Sequence, residues 1–265
     1  MAPEDASRSL ATRRVVVVGA SAGIGRAFTE RALTDGATVI AAARRKELLD
    51  ELVSTSATGT AVACDVRTEA GCDALVQAAS DLGGVDILLI CVGMAPMTLL
   101  GDATGEQWEN AFRTNVFGVN TVIRRLRPLC DATSIVAVLS SETVGQPRTG
   151  LGVYSASKAA VDQLLGIWRA EVPSVRFTQI VVGSTIDTEF GLAFPGDLLG
   201  WAMGDWLARG LMPETYLMSA DVAETIAGTL ATITNLPDVS LDTITIRPAS
   251  KPEGTPAPLA EGPTP

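Results

Sequence analysis

Apolar residues in this chain gather into short unbroken runs, separated by stretches where they recur at helical spacing. Val15, Val16, Val17 and Val18 form the first run, and a run with no polar break fits a strand covered on both faces. Similar runs at 37–43, 60–64, 85–92, 134–139, 175–182 and 243–247 bring the expected strands to seven. Helical patterns occupy 26–35, 44–56, 68–81, 104–127, 153–171 and 219–234. Several of these carry their own punctuation. Gly36 stands where the first helix should stop. Thr68 and a Thr104-x-x-Gln107 capping box stand where helices should start, and Pro128 and Pro173 where they cannot continue. Buried strands alternating with helices predict an α/β fold, a doubly wound parallel sheet of about seven strands with helices on both faces. No linker or repeat interrupts it, so residues 13–247 read as one domain. Residues 1–12 read as a flexible tail, and 248–265, rich in Pro, Ala and Glu, as a disordered one.

Composition narrows what such a fold can do. With 265 residues, 47% apolar and 19% charged, the chain can build a sizeable core. A formal charge of −10 opposes binding to nucleic-acid phosphates. The chain has no histidine. That removes His-based nucleophile activation and His-ligated metals, and no metal site is expected. Proton transfer near neutral pH then falls to another residue with a shifted pKa. Cys64, Cys72, Cys91 and Cys130 show no Cys-x-x-Cys spacing, and three lie in or beside apolar runs. They read as reduced thiols, as in a cytoplasmic protein. Neither a signal peptide nor an apolar run of membrane-spanning length is present, so no membrane partner is expected.

In a doubly wound sheet, ligands bind at the carboxyl ends of the strands. The first run breaks there into Gly19-x-x-x-Gly23-x-Gly25, with Ser21 and Ile24 between the glycines and a helix behind. Glycines let the backbone approach a phosphate, and the helix N-terminus offers free N–H groups. A tight turn holding no ligand would use the same residues. After the second run, Arg44-Arg45 stand where an acid would bond an adenosine ribose. Cations there suit a 2′-phosphate, with Ser21 as a further donor, so NADP(H) is favoured over NAD(H). Two solvated arginines at a helix start are the other possibility. Asp65-Val66, after the third run, would lie beside an adenine ring.

Ser141, Tyr154 and Lys158 supply the candidate chemistry. The last two are four residues apart, hence neighbours on one helix face. A free tyrosine titrates at about 10, and an adjacent ammonium stabilises its phenolate. Bringing it near 7 takes about 4 kcal/mol, which calls for a close, partly desolvated cation together with cofactor charge. Ser141 would hold a substrate carbonyl or hydroxyl beside the phenol.

On these motifs the chain resembles the short-chain dehydrogenase/reductase family over roughly residues 13–247. The family's glycine motif matches Gly19, Gly23 and Gly25, and its Tyr-x-x-x-Lys matches Tyr154 and Lys158. Its serine, thirteen residues before the tyrosine, falls on Ser141, and its helix asparagine on Asn115 in Asn115-Val116-Phe117-Gly118. The resemblance implies that Tyr154 exchanges the proton, while Lys158 lowers its pKa and binds nicotinamide ribose. It gives Ser141 the substrate oxygen and Asn115 a water of the proton relay, and places the nicotinamide carboxamide at Thr188. Three positions depart from the family pattern: Val18 replaces a threonine, Ile90-Cys91-Val92-Gly93 replaces Asn-Asn-Ala-Gly, and Gly183-Ser184 replaces Pro-Gly. Val92, Gly93 and Ser184 remain expected cofactor contacts.

Residues 189–218, with Phe190, Phe194, Trp201 and Trp206, fall where the family carries a variable substrate lid. Their apolar character suits a hydrophobic substrate, although packing onto the core or a neighbouring subunit would use the same residues. The resemblance also implies a homodimer or homotetramer joined through the helices near Gly105 and Val153. The expected activity is hydride transfer between NADP(H) and a carbonyl or secondary alcohol, with Tyr154 as general acid/base. The alternative is a regulatory or scaffold protein that holds NADP(H) without turnover.

Overall fold

A computed structural model describes residues 9–249. The strands are β1 (Arg14–Val18), β2 (Thr38–Ala43), β3 (Gly59–Ala63), β4 (Ile87–Ile90), β5 (Ile135–Ser141), β6 (Arg176–Val182) and β7 (Thr243–Ile246). They form one sheet in the order β3-β2-β1-β4-β5-β6-β7, with every neighbouring pair parallel. The helices are α1 (Gly23–Thr34), α2 (Lys46–Val53), α3 (Asp73–Asp81), α4 (Gly105–Phe112), α5 (Val119–Leu126), α6 (Gly152–Glu171), α7 (Gly196–Ala208) and α8 (Ser219–Thr234).

The valine run explains the layering. Successive side chains of a strand point to opposite faces. Val15 and Val17 therefore join Phe28 of α1 and Leu230 of α8 on one side. Val16 and Val18 join Ile123 of α5 and Leu165 of α6 on the other. All four are fully buried, which is why no polar residue interrupts them. The chain winds outward from β1 to β3, then restarts at β4 on the other side of β1. That reversal opens a crevice beyond the ends of β1 and β4.

Local signals act as their chemistry predicts. Gly36 adopts φ +87° and donates its N–H to the Leu33 carbonyl at 3.0 Å, ending α1. The capping box at α4 is closed in both directions, Gln107 N–H to Thr104 Oγ1 at 3.2 Å and Thr104 N–H to Gln107 Oε1 at 2.9 Å. The long helix expected over 104–127 is not uniform, because it widens into a π turn over Arg113–Gly118 between α4 and α5. β5 runs two residues past its expected end at 139, since Ser140 and Ser141 pair with Val181 and Val182 of β6. Backbone pairing, not hydrophobicity, carries the strand that far.

Leu10, expected within a flexible N-terminal tail, is packed instead. Leu10 is fully buried, its N–H donates to Asp35 Oδ2 at 2.8 Å, and its carbonyl accepts the Arg13 N–H at 3.0 Å. Residues 1–8 of that tail, and 250–265 of the expected Pro-rich tail, lie outside the described residues. Leu10→Ala should cost about 2–4 kcal/mol in chemical denaturation, the penalty for emptying a buried leucine site. A loss below about 0.5 kcal/mol would mean that this segment does not pack.

Candidate active site

The crevice is built first from the glycine turn. Val18 ends β1 with its carbonyl accepting the Cys91 N–H at 2.7 Å, so backbone alone joins β1 to the end of β4. Gly19 sits at φ +95°, and a Cβ there would meet Cys91 and Val92 backbone at 3.0 Å. A Cβ on Gly25 would lie 2.3 Å from the Gly19 carbonyl oxygen, which only glycine avoids. Ala22 caps α1 with no side-chain hydrogen bond, and the first turn holds no acid. The N-terminal N–H groups of α1 thus have no side-chain acceptor from the cap.

At the end of β2, Arg45 rather than Arg44 turns toward this feature. Its guanidinium donates to Ser21 Oγ at 3.0 Å, and to both Glu189 oxygens at 2.9 and 2.7 Å. Arg44 is exposed, and its charge helps lower the pKa of Asp65. Asp65 itself is engaged by Arg67, whose Nε donates at 2.9 Å, and that bond holds its carboxyl below the usual range. Val66 is buried against Gly118, where an added Cβ would come within 2.7 Å of its side chain.

Three elements converge on Ser141, Tyr154, Lys158 and Asn115. Ser141 is the last residue of β5, and its Oγ accepts the Thr143 N–H at 3.2 Å. On α6, Tyr154 is buried beside Ser141, whose hydroxyl acts to lower the pKa of the phenol. One turn on, Lys158 Nζ donates to the Leu139 carbonyl at 2.8 Å and the Val92 carbonyl at 3.4 Å. It lies 5.9 Å from the centre of the Tyr154 ring. A Cβ on Gly93 would sit 3.6 Å from that nitrogen. Asn115, buried within the π turn, accepts the Met94 N–H at 2.8 Å and donates to Met94 O and Ser157 Oγ at 2.9 and 2.8 Å. A π turn commonly marks a functional position in a helix. Here it locks the asparagine to the segment after β4.

The phenol is not acidified in this arrangement. Burial pushes Tyr154 up to about 12, against the lowering by Ser141. Burial likewise brings Lys158 down to about 8, with Asp162 and Cys91 opposing. The ammonium is held by the Leu139 and Val92 carbonyls, and desolvation is the largest influence on both groups.

Several neighbours were not singled out from the sequence. Asp162 stands four residues past Lys158 on the same face of α6, a spacing that could have revealed it. Glu142 and Arg148 form a buried ion pair at 2.5 Å. Ser184 Oγ joins it, donating to Glu142 Oε1 and accepting from Arg148, each at 3.0 Å. Its hydroxyl is therefore engaged away from the glycine turn. Arg148 also lies 5.7 Å above the Trp206 ring of α7. Thr188 meets the glycine turn instead, its Cγ2 lying 3.3 Å from where a Gly23 Cβ would be. Phe190, two residues on, packs edge-on against Tyr154 with ring centres 4.9 Å apart. α7 buries Ala202 and Trp206 against Met97 and Leu151, while Trp201 and Leu207 stay exposed. No cluster of His, Cys, Asp and Glu suited to a metal occurs among the described residues. No helix among them is long and apolar enough to cross a membrane.

The family described as short chain dehydrogenase matches residues 13–192, more than half of the chain. The chain belongs to the short-chain dehydrogenase/reductase family. An uncharacterized oxidoreductase of Mycobacterium tuberculosis is 37% identical over 242 residues, covering 89% of this chain and 91% of that protein. The human mitochondrial dehydrogenase/reductase SDR family member 2 is 32% identical over 203 residues, 72% of this chain and 71% of that one. A glycine betaine reductase of Emericella nidulans is 34% identical over 193 residues, 69% of this chain, and the match spans 15% of that longer protein. Among solved structures, a 3-ketoacyl-(acyl-carrier-protein) reductase from Brucella melitensis complexed with NADH shares the fold. Its TM-score is 0.76 at 23% identity, covering 90% of this chain and 98% of that one. As a short-chain dehydrogenase/reductase the chain is an oxidoreductase.

The buried lysine makes stability depend on pH. Below pH 8 the Lys158 ammonium is charged in both the folded and the unfolded chain, and its burial costs about 3 kcal/mol. Between about 8 and 10.5 the folded chain releases the proton first, so stability rises with pH across that window. Relative to the parent protein, Lys158→Met should therefore gain about 2 kcal/mol more at pH 7 than at pH 10 in urea unfolding. Equal differences at the two pH values would show that Lys158 does not titrate in this range.

Proposed function

We propose that the chain is an NADP(H)-dependent oxidoreductase that interconverts a carbonyl and a secondary alcohol on a hydrophobic substrate. The reading is carried by the meeting of Ser141 with Tyr154, one helical turn from an ammonium anchored on Leu139 of β5 and Val92 just past β4. The glycine turn fits a dinucleotide. Gly25 packs on the Gly19 carbonyl with no room for a Cβ, and α1 begins without a capping side chain. Ser21 and Arg45, 3.0 Å apart, would take a 2′-phosphate. Gly23, Ile24, Val92, Gly93 and Thr188 line the remainder of the proposed site, with Asp65 and Val66 toward the adenine side. When bound, nicotinamide supplies or accepts the hydride.

The protein's own part is proton handling. Ser141 orients the substrate oxygen, and Tyr154 gives a proton to it or takes one from it. For that, the phenol must come down from about 12, and Lys158 is the cation placed to lower it. Asn115 acts through its bonds to Met94 and Ser157, fixing the segment after β4 against α6.

Exposed Trp201, Met203 and Leu207 on α7 support an apolar substrate. Phe117 in the π turn and Ile167 on α6 are exposed apolar residues that support a homodimer or homotetramer. Four free thiols, with Cys64 and Cys72 sulfurs 3.9 Å apart and not joined as a disulfide, favour a cytoplasmic setting. The contact of Phe190 with the Tyr154 ring favours the second reading, cofactor held without turnover.

NADPH should raise the melting temperature more than NADH, saturation at 100 times Kd contributing about 2.7 kcal/mol. Arg45→Ala should erase that difference, and equal shifts in the parent protein would remove the role given to Arg45. Tyr154→Phe should keep NADPH binding but lose about 10²–10⁴ of turnover on apolar ketones, read from nicotinamide absorbance. Binding without turnover of any ketone or alcohol in the parent protein would favour the second reading.

A further inference from the structure

The segment after β6 touches the site at three places within three residues. Thr188 lies over Gly23 of the glycine turn. Glu189 holds the Arg45 guanidinium through both carboxylate oxygens, at 2.9 and 2.7 Å. Phe190 packs on the Tyr154 ring, and Phe194 packs on Phe190 with ring centres 5.4 Å apart. Its backbone is tied locally, with Leu192 N–H to Glu189 O at 3.3 Å and Phe194 N–H to Gly191 O at 3.1 Å. One short strap therefore links the guanidinium proposed for the 2′-phosphate to the phenol proposed for proton transfer.

A carboxylate on a guanidinium fork resembles a phosphate on it: both are anionic, and both accept two parallel N–H bonds. Arg45 and Glu189 side chains are 45% and 50% exposed, so solvent and an incoming anion can reach the pair. Exposed pairs of this kind are weak and exchange readily. On the NADP(H) reading above, we infer that Glu189 is an internal stand-in for the 2′-phosphate and determines which cofactor exposes Tyr154. A 2′-phosphate displaces the Glu189 carboxylate from Arg45 and releases the strap, drawing Phe190 off the phenol. A cofactor without that phosphate leaves the Arg45–Glu189 pair intact and Tyr154 covered. Glu189 is thus a specificity-determining residue that acts on access to the phenol rather than on the chemistry.

Amide hydrogen exchange on the full chain tests this, with adenosine 2′,5′-bisphosphate and 5′-AMP as probes and their Kd values measured by calorimetry. In the parent protein, the bisphosphate should speed exchange at Phe190, Leu192 and Phe194, while 5′-AMP at equal occupancy should not. Glu189→Gln keeps the size of the side chain and removes its charge. It should show the faster exchange without ligand and bind the bisphosphate about two- to fivefold more tightly, with 5′-AMP affinity unchanged. Glu189→Asp should restore slow exchange in part. The proposal is overturned if the bisphosphate binds better than 5′-AMP yet leaves exchange at these amides unaltered. It is also overturned if Glu189→Gln leaves both exchange and affinity unaltered. If neither protein prefers the bisphosphate, the NADP(H) reading fails and the proposal falls with it.

Discussion

A buried ammonium bound to two backbone carbonyls, one within β5 and one just past β4, holds this site together. Lys158 reaches from α6 to Leu139 of β5 and to Val92 beyond β4, joining three elements that are distant in sequence. A charge so deeply placed is costly, and its pKa near 8 reflects that cost. The hydrogen bonds offset part of it and fix the rotation of α6. Because Tyr154 is one turn away, the same rotation sets the phenol against Ser141. Moving the lysine would therefore shift the tyrosine with it, whatever the chemistry at either group.

Much of this was legible in the residues. The four valines announced a strand buried on both faces, and the sheet places them on alternate sides of the central layer. Helix caps and stops at Thr104 and Gly36 are local events, settled by one side chain or one backbone angle, so they read directly from sequence. Ser141, Tyr154 and Lys158 stood out because one follows an apolar run and the other two lie at helical spacing, whereas Asn115 was marked only by the resemblance to the family. Interactions that depend on tertiary placement were hidden. Leu10 sits in an otherwise polar start, and nothing local marks it as buried beside Asp35. The pairing of Glu142 with Arg148, closed by Ser184 from the end of β6, joins charges that composition presents as ordinary surface residues.

The departures from the family's sequence pattern have different structural weight. Where Asn-Asn-Ala-Gly is replaced after β4, backbone groups take up the bonding: Cys91 N–H meets Val18 O, and Val92 O meets Lys158. Side-chain amides are not needed for either contact. At Gly183-Ser184 the change is absorbed differently. A Cβ at Gly183 would come 3.0 Å from Glu142 Oε2, and Ser184 adds a hydroxyl that the buried ion pair uses fully. That pair also meets α7, where the Arg148 guanidinium lies over the Trp206 ring.

The π turn over Arg113–Gly118 has a geometric consequence. Each residue of an α-helix rotates the side-chain direction by about 100°, so a turn wound with one residue more resets the phase of everything after it. Upstream, α4 buries only Ala111; downstream, α5 buries Val119, Val122, Ile123 and Leu126 against the sheet. The two halves thus bury different faces, and the seam between them carries Asn115. That offset is what lets one residue of the seam, Asn115, reach sideways to Met94 and Ser157 while the turns on either side keep their own buried stripes.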